Sequence, residues 1–129
     1  MINFATAVLI ALSVLAPFPS RFDNTRVDLY RLGNSSSPRM TNVREKDVEM
    51  FQKDGETWVK GRSGGISTFA VPQNQSNEWV LKAGAWYTSD LYLNNNSGDH
   101  WQWEPANDMP LSKYISILGD LDNKFERYK

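Results

Sequence analysis

Asp99-His100-Trp101-Gln102-Trp103-Glu104-Pro105-Ala106-Asn107-Asp108-Met109-Pro110-Leu111 alternates polar and aromatic side chains, then passes through two prolines. Successive side chains of a strand point to opposite faces. As a strand, this stretch sends His100, Gln102 and Glu104 one way and Trp101 and Trp103 the other. One face can carry chemistry while the other buries indole. Pro110 suits the first turn of a helix. Beyond it Leu111, Tyr114, Ile115, Leu118, Leu121 and Phe125 recur at three- and four-residue spacing, the stripe of an amphipathic C-terminal helix. Burying each of these large apolar side chains is worth about 1.5–3 kcal/mol, so the helix anchors the sheet.

Upstream, Val27-Asp28-Leu29-Tyr30-Arg31 alternates and predicts a short strand ending at Gly33 and the Asn34–Ser37 turn cluster. Asn42 with Glu45 three residues on has the form of a capping box. With Val43, Val48 and Phe51 it predicts a short helix that stops at Asp54-Gly55. Thr57–Lys60 and Ile66–Ala70 read as strands separated by Gly61-Arg62-Ser63-Gly64-Gly65, where glycine lets the backbone turn or approach a ligand. Trp79–Lys82, Ala85–Thr88 and Leu91–Leu93 supply further strands, divided by Gly84 and by a predicted Asn94–Gly98 turn. Antiparallel pairing is expected, in an α+β domain.

A length of 129 residues suits one compact domain. Residues 1–20 are set apart as an apolar N-terminal segment, and residues 21–129 form the predicted domain. Phe4–Ala16 is apolar apart from Thr6 and Ser13, shorter than the roughly 20 residues a transmembrane helix needs. It reads either as a secretory leader or as an apolar helix packed on the domain; Met1-Ile2-Asn3 lacks the basic residue typical of a leader. Lysine plus arginine number 14 against 15 aspartate plus glutamate, so no net field attracts a nucleic-acid backbone. The absence of cysteine excludes disulfides, thiol nucleophiles and the common structural zinc sites.

Arg31 offers a fork of donors suited to phosphate, and Ser67 and Thr68 can place hydroxyls beside the same ligand. Equally, Arg31 is an ordinary ion-paired side chain and the two hydroxyls merely complete a strand. His100 is the only histidine, either a hydrogen-bonded structural residue or a general base, and one imidazole makes no metal site. Glu104 lies on the same predicted face roughly 13 Å along the strand, so the two flank a ligand rather than pair. The phosphate-loop, dinucleotide-fold and serine-elbow signatures do not occur.

Three separated pieces, Leu29-Tyr30-Arg31, Gly64-Gly65-Ile66-Ser67-Thr68-Phe69, and His100 followed by Pro105-Ala106 and Met109, together resemble a toxin family with an ADP-ribosyltransferase-like fold. The family occurs among type VI secretion effectors and in fungal relatives, and the resemblance covers about Val27 to Phe125. It implies a split, mostly antiparallel β core with flanking helices that clamps NAD as substrate. It further implies that Arg31, Tyr30, Ser67 and Thr68 hold the dinucleotide, with an unknown intracellular acceptor and an immunity protein as partners. Arg31, Ser67, Thr68, His100 and Glu104 become the candidate catalytic set, Glu104 by extrapolation, because the family's late motif is carried by the histidine and proline. A differing reading is a secreted, noncatalytic binding domain. It rests on the apolar leader, the aromatic load and the glycosylation triplets at Asn34, Asn74 and Asn95.

Overall fold

The computed structural model describes residues 22–129. The expected N-terminal segment, whether leader or packed helix, lies outside them. In chain order the elements are β1 (Phe22–Asn24), β2 (Leu29–Leu32), β3 (Met50–Lys53), β4 (Glu56–Val59), β5 (Ile66–Phe69), β6 (Glu78–Leu81), β7 (Trp86–Thr88), β8 (Leu91–Ser97), β9 (His100–Pro105), β10 (Met109–Pro110), α1 (Leu111–Asp122) and β11 (Glu126–Arg127). A six-stranded sheet runs β11-β6-β2-β5-β9-β8. A three-stranded sheet runs β10-β4-β3, and β1 and β7 form a ribbon. Every ladder is antiparallel. The class is α+β, as expected, but flanking helices were anticipated and one α-helix occurs among the described residues.

The tail folds as its alternation requires. Trp103 is fully buried and pairs across the sheet with Ile66, itself in the core. Leu29, Leu81 and Leu91 share that core with Tyr114, Leu118 and Leu121 of α1. The Tyr114 hydroxyl donates to the Trp103 carbonyl at 2.6 Å, tying helix to sheet at a buried point. Burial pushes the Tyr114 phenol far above its ordinary value, so it stays a neutral donor. Within the predicted helical stripe Ile115 is only half-buried, and Ile117 packs against the core as well.

The helix predicted after Asn42 does not form. Asp47 accepts from the Arg44 backbone N–H at 2.9 Å and from its guanidinium at 3.0 and 3.1 Å, closing a single turn instead. Asp54-Gly55, expected to stop that helix, instead joins β3 to β4. Its φ values of 52° and 78° are those of a primed hairpin turn. The predicted Asn94–Gly98 turn is also corrected: β8 continues to Ser97, with a register shift between Asn95 and Ser97 that absorbs the extra residue before His100. The short strands β1 and β11 had no signal long enough to anticipate.

Candidate functional site

The three motifs that the sequence holds far apart lie on β2, β5 and β9, which are consecutive neighbours in the six-stranded sheet. Register then sorts their side chains. Tyr30 pairs with Phe69, Phe69 with His100, and Ser67 with Gln102. Paired residues share a face and neighbours alternate. Tyr30, Ser67, Phe69, His100, Gln102 and Glu104 therefore look one way. Arg31, Thr68, Trp101 and Trp103 look the other, toward the core.

On the first face His100 Nε2 lies 2.8 Å from Ser67 Oγ. The imidazole stacks on the Phe69 ring, centroids 5.2 Å apart and planes 28° from parallel. Stacking and the serine together fix its rotation. Tyr30 meets Tyr128 edge-on at 5.0 Å; its phenol is raised above the ordinary value by burial, and further by the charges of Asp28, Tyr128 and Glu78. Ser67, His100, Phe69 and Tyr30 are all half-buried, so they are held yet reachable. Further along the strand, Glu104 is buried and accepts from Asn94 Nδ2 at 2.9 Å. Its cross-strand partner Tyr92 lies under the Arg62 guanidinium, 4.0 Å from the ring centre.

Arg31 is placed differently from the expectation of a free phosphate grip. Nε donates to the Pro38 carbonyl at 2.7 Å, Nη1 to the Ser67 carbonyl at 2.8 Å and Nη2 to the Arg39 carbonyl at 3.1 Å. β2 and β5 share a single register pair, Tyr30 with Phe69. The guanidinium bonds across beyond that pair and secures the 38–39 segment against β5. Burial lowers its pKa, but a guanidinium remains charged in proteins. Thr68 is likewise committed: fully buried, it donates to the Trp101 carbonyl at 3.0 Å and accepts from Trp103 Nε1 at 3.1 Å. The structure thus brings Tyr30, Ser67, His100 and Glu104 to one face and leaves Arg31 and Thr68 behind it.

The Gly64-Gly65 pair has a packing explanation. Gly64 sits at φ 128°, and a side chain on Gly65 would fall 2.0 Å from the Trp103 carbonyl oxygen. What approaches closely is β9 rather than a ligand. Phe69, Asn94, Arg62 and Tyr128 are contributors that reading the sequence missed. The two-residue step from Ser67 was the available signal for Phe69, whereas Asn94 was hidden by its turn-like composition.

Chemically, the arrangement offers a serine hydroxyl beside an imidazole, phenols to one side and a buried carboxylate to the other. Two hollows lie elsewhere. One of about 160 Å³ lies between Trp86, Phe22 and α1, and one of about 210 Å³ lies beside Arg62 and Tyr92. Neither of these two hollows is lined by Ser67 or His100. Among the described residues no group of three or more histidine, aspartate or glutamate side chains is arranged to hold a metal ion, and no helix is long and apolar enough to cross a membrane. No family model matches the chain, and no curated protein matches its sequence.

Proposed function

We propose that the chain is an NAD-dependent ADP-ribosyltransferase-like toxin whose site is the Tyr30, Ser67 and His100 face of the six-stranded sheet, acting on an intracellular acceptor. The observation that carries this reading is the 2.8 Å contact between His100 Nε2 and Ser67 Oγ, because it joins two of the three motifs behind the resemblance through their functional atoms. The third supports it through the backbone: Arg31 bonds the carbonyl of the same Ser67. In this reading Arg31 is a positioning residue and Thr68 a core residue, while Tyr30, Ser67 and His100 meet the dinucleotide. Breaking the nicotinamide bond develops positive charge on the ribose, which a fixed carboxylate on the same face, Glu104, lowers in energy.

Isothermal titration with NAD, beside growth on induction of the full chain, tests the reading. Ser67→Ala and His100→Ala are expected to lose NAD binding and growth inhibition while melting near the parent temperature. A parent chain that releases no heat with NAD and leaves growth unaffected rejects it. The noncatalytic alternative draws its support from the commitments of Arg31 and Thr68, both satisfied within the protein. Against its glycosylation argument, Asn95 Nδ2, the atom a glycan would take, donates to the Gly98 and His100 carbonyls in the folded chain.

A further inference from the structure

Resting on the NAD reading, we propose that Ser67 is itself an acceptor of ADP-ribose, so that the protein modifies its own site. Ser67 Oγ lies 2.8 Å from His100 Nε2, within reach for a general base that removes a hydroxyl proton in the transition state. Both partners are held. Ser67 sits on a central strand paired to β9, and the imidazole is braced by Phe69.

The next residue is an internal control. Thr68 carries an equivalent hydroxyl, but it is fully buried, faces the core and is bonded to Trp101 and Trp103. Half-buried Ser67 faces outward. Of the two adjacent hydroxyls, only Ser67 is both reachable and set beside a base.

The step balances. Ser67 Oγ attacks the anomeric carbon of the nicotinamide ribose, the bond to the nicotinamide nitrogen breaks and its electron pair leaves with neutral nicotinamide. The hydroxyl proton passes to His100 Nε2 and then to water. The product is a serine O-glycoside of ADP-ribose.

The test is intact-mass spectrometry of the full chain incubated with NAD, with fragment spectra to locate any adduct and chromatography to quantify nicotinamide. One ADP-ribose on Ser67 and none on Thr68 is expected, stable to neutral hydroxylamine as a glycoside is and a carboxylate ester on Glu104 would not be. His100→Gln is expected to slow adduct formation by about 100-fold while keeping the parent melting temperature. Free ADP-ribose supplied in place of NAD is expected to leave Ser67 bare, and equal labelling by it overturns the proposal. Nicotinamide release with Ser67 unmodified also overturns it but leaves the NAD reading standing. No nicotinamide release from the parent, together with no NAD binding, removes both.

Discussion

The two faces of β2, β5 and β9 use the same three strands for opposite ends. Toward the core, polar groups are joined to the protein: Arg31 to three carbonyls, Thr68 to Trp101 and Trp103, and Tyr114 to the Trp103 carbonyl. Trp101 Nε1 is the exception, buried without a partner. Toward the outside, Ser67 and His100 are joined to one another. The first face holds the sheet to α1, and the second leaves the Ser67–His100 pair half-buried. Substitutions on the two sides should therefore separate cleanly into losses of stability and losses of binding.

The largest loss is expected at Trp103, fully buried and edge-on to Tyr87 at 4.9 Å. Trp103→Ala removes that ring and leaves the Thr68 hydroxyl without its donor, for a cost of about 3–5 kcal/mol by urea denaturation. A cost below about 1 kcal/mol would mean that the inner face is not where the fold is held.

Arg31 sharpens the contrast because it was expected to serve the ligand. Arg31→Met strands three carbonyls and should cost about 2–3 kcal/mol. Arg31→Lys should recover only part, since one ammonium cannot span carbonyls that a planar fork reaches together. Unchanged stability combined with lost NAD affinity would return Arg31 to the role of a ligand grip.

Asp47, in the turn beside the inner face, gives a smaller effect with a pH signature. Burial pushes its carboxyl up, but the hydrogen bonds from Arg44, its charge and that of Arg31 outweigh this and hold the folded pKa below the usual value. A depressed folded pKa contributes stability above the unfolded value, about 3.9, and that contribution is lost as pH falls through the folded one. Asp47→Asn should thus be less stable near neutrality, by about 1 kcal/mol once solvent screening of this partly exposed pair is allowed for. Melting curves of the two proteins should converge on acidification below about pH 4. A gap that persists there would assign the effect to packing instead of charge.

What the sequence made legible follows from range. The stripe of α1 is a periodic pattern that burial enforces, and it appears through Leu121, with Phe125 packing just beyond the helix. The alternation of His100–Glu104 sets the faces by register, although Trp103 and Glu104 are both buried. The face shared by Ser67 and His100 depends on register between residues 33 apart in the chain, which local pattern does not supply. Arg31 went the other way. Its residue type and strand were readable, but Val27–Arg31 alone does not say which face meets the core until Tyr30 is paired with Phe69. The stretch from Asn42 to Gly55 failed because Asp47 satisfied Arg44 locally and Asp54-Gly55 is as good a hairpin turn as a helix stop, whereas the strand expected just beyond it at Thr57–Lys60 forms as β4.

The smallest stability effect is expected where the functional effect is greatest. Ser67→Ala removes one half-buried hydroxyl and its bond to His100, a loss of about 0.5–1 kcal/mol. His100→Gln keeps an amide able to meet the serine while losing the stack on Phe69. If the outer face is only a strand surface, the two substitutions and their double variant will be mild, additive and without effect on NAD. If the pair is a working unit, Ser67→Ala abolishes adduct formation, His100→Gln slows it by about 100-fold, and the double variant is no worse than Ser67→Ala, because the base has nothing to deprotonate without the hydroxyl. Non-additivity in activity beside near-additivity in stability is the pattern that separates a site from a surface.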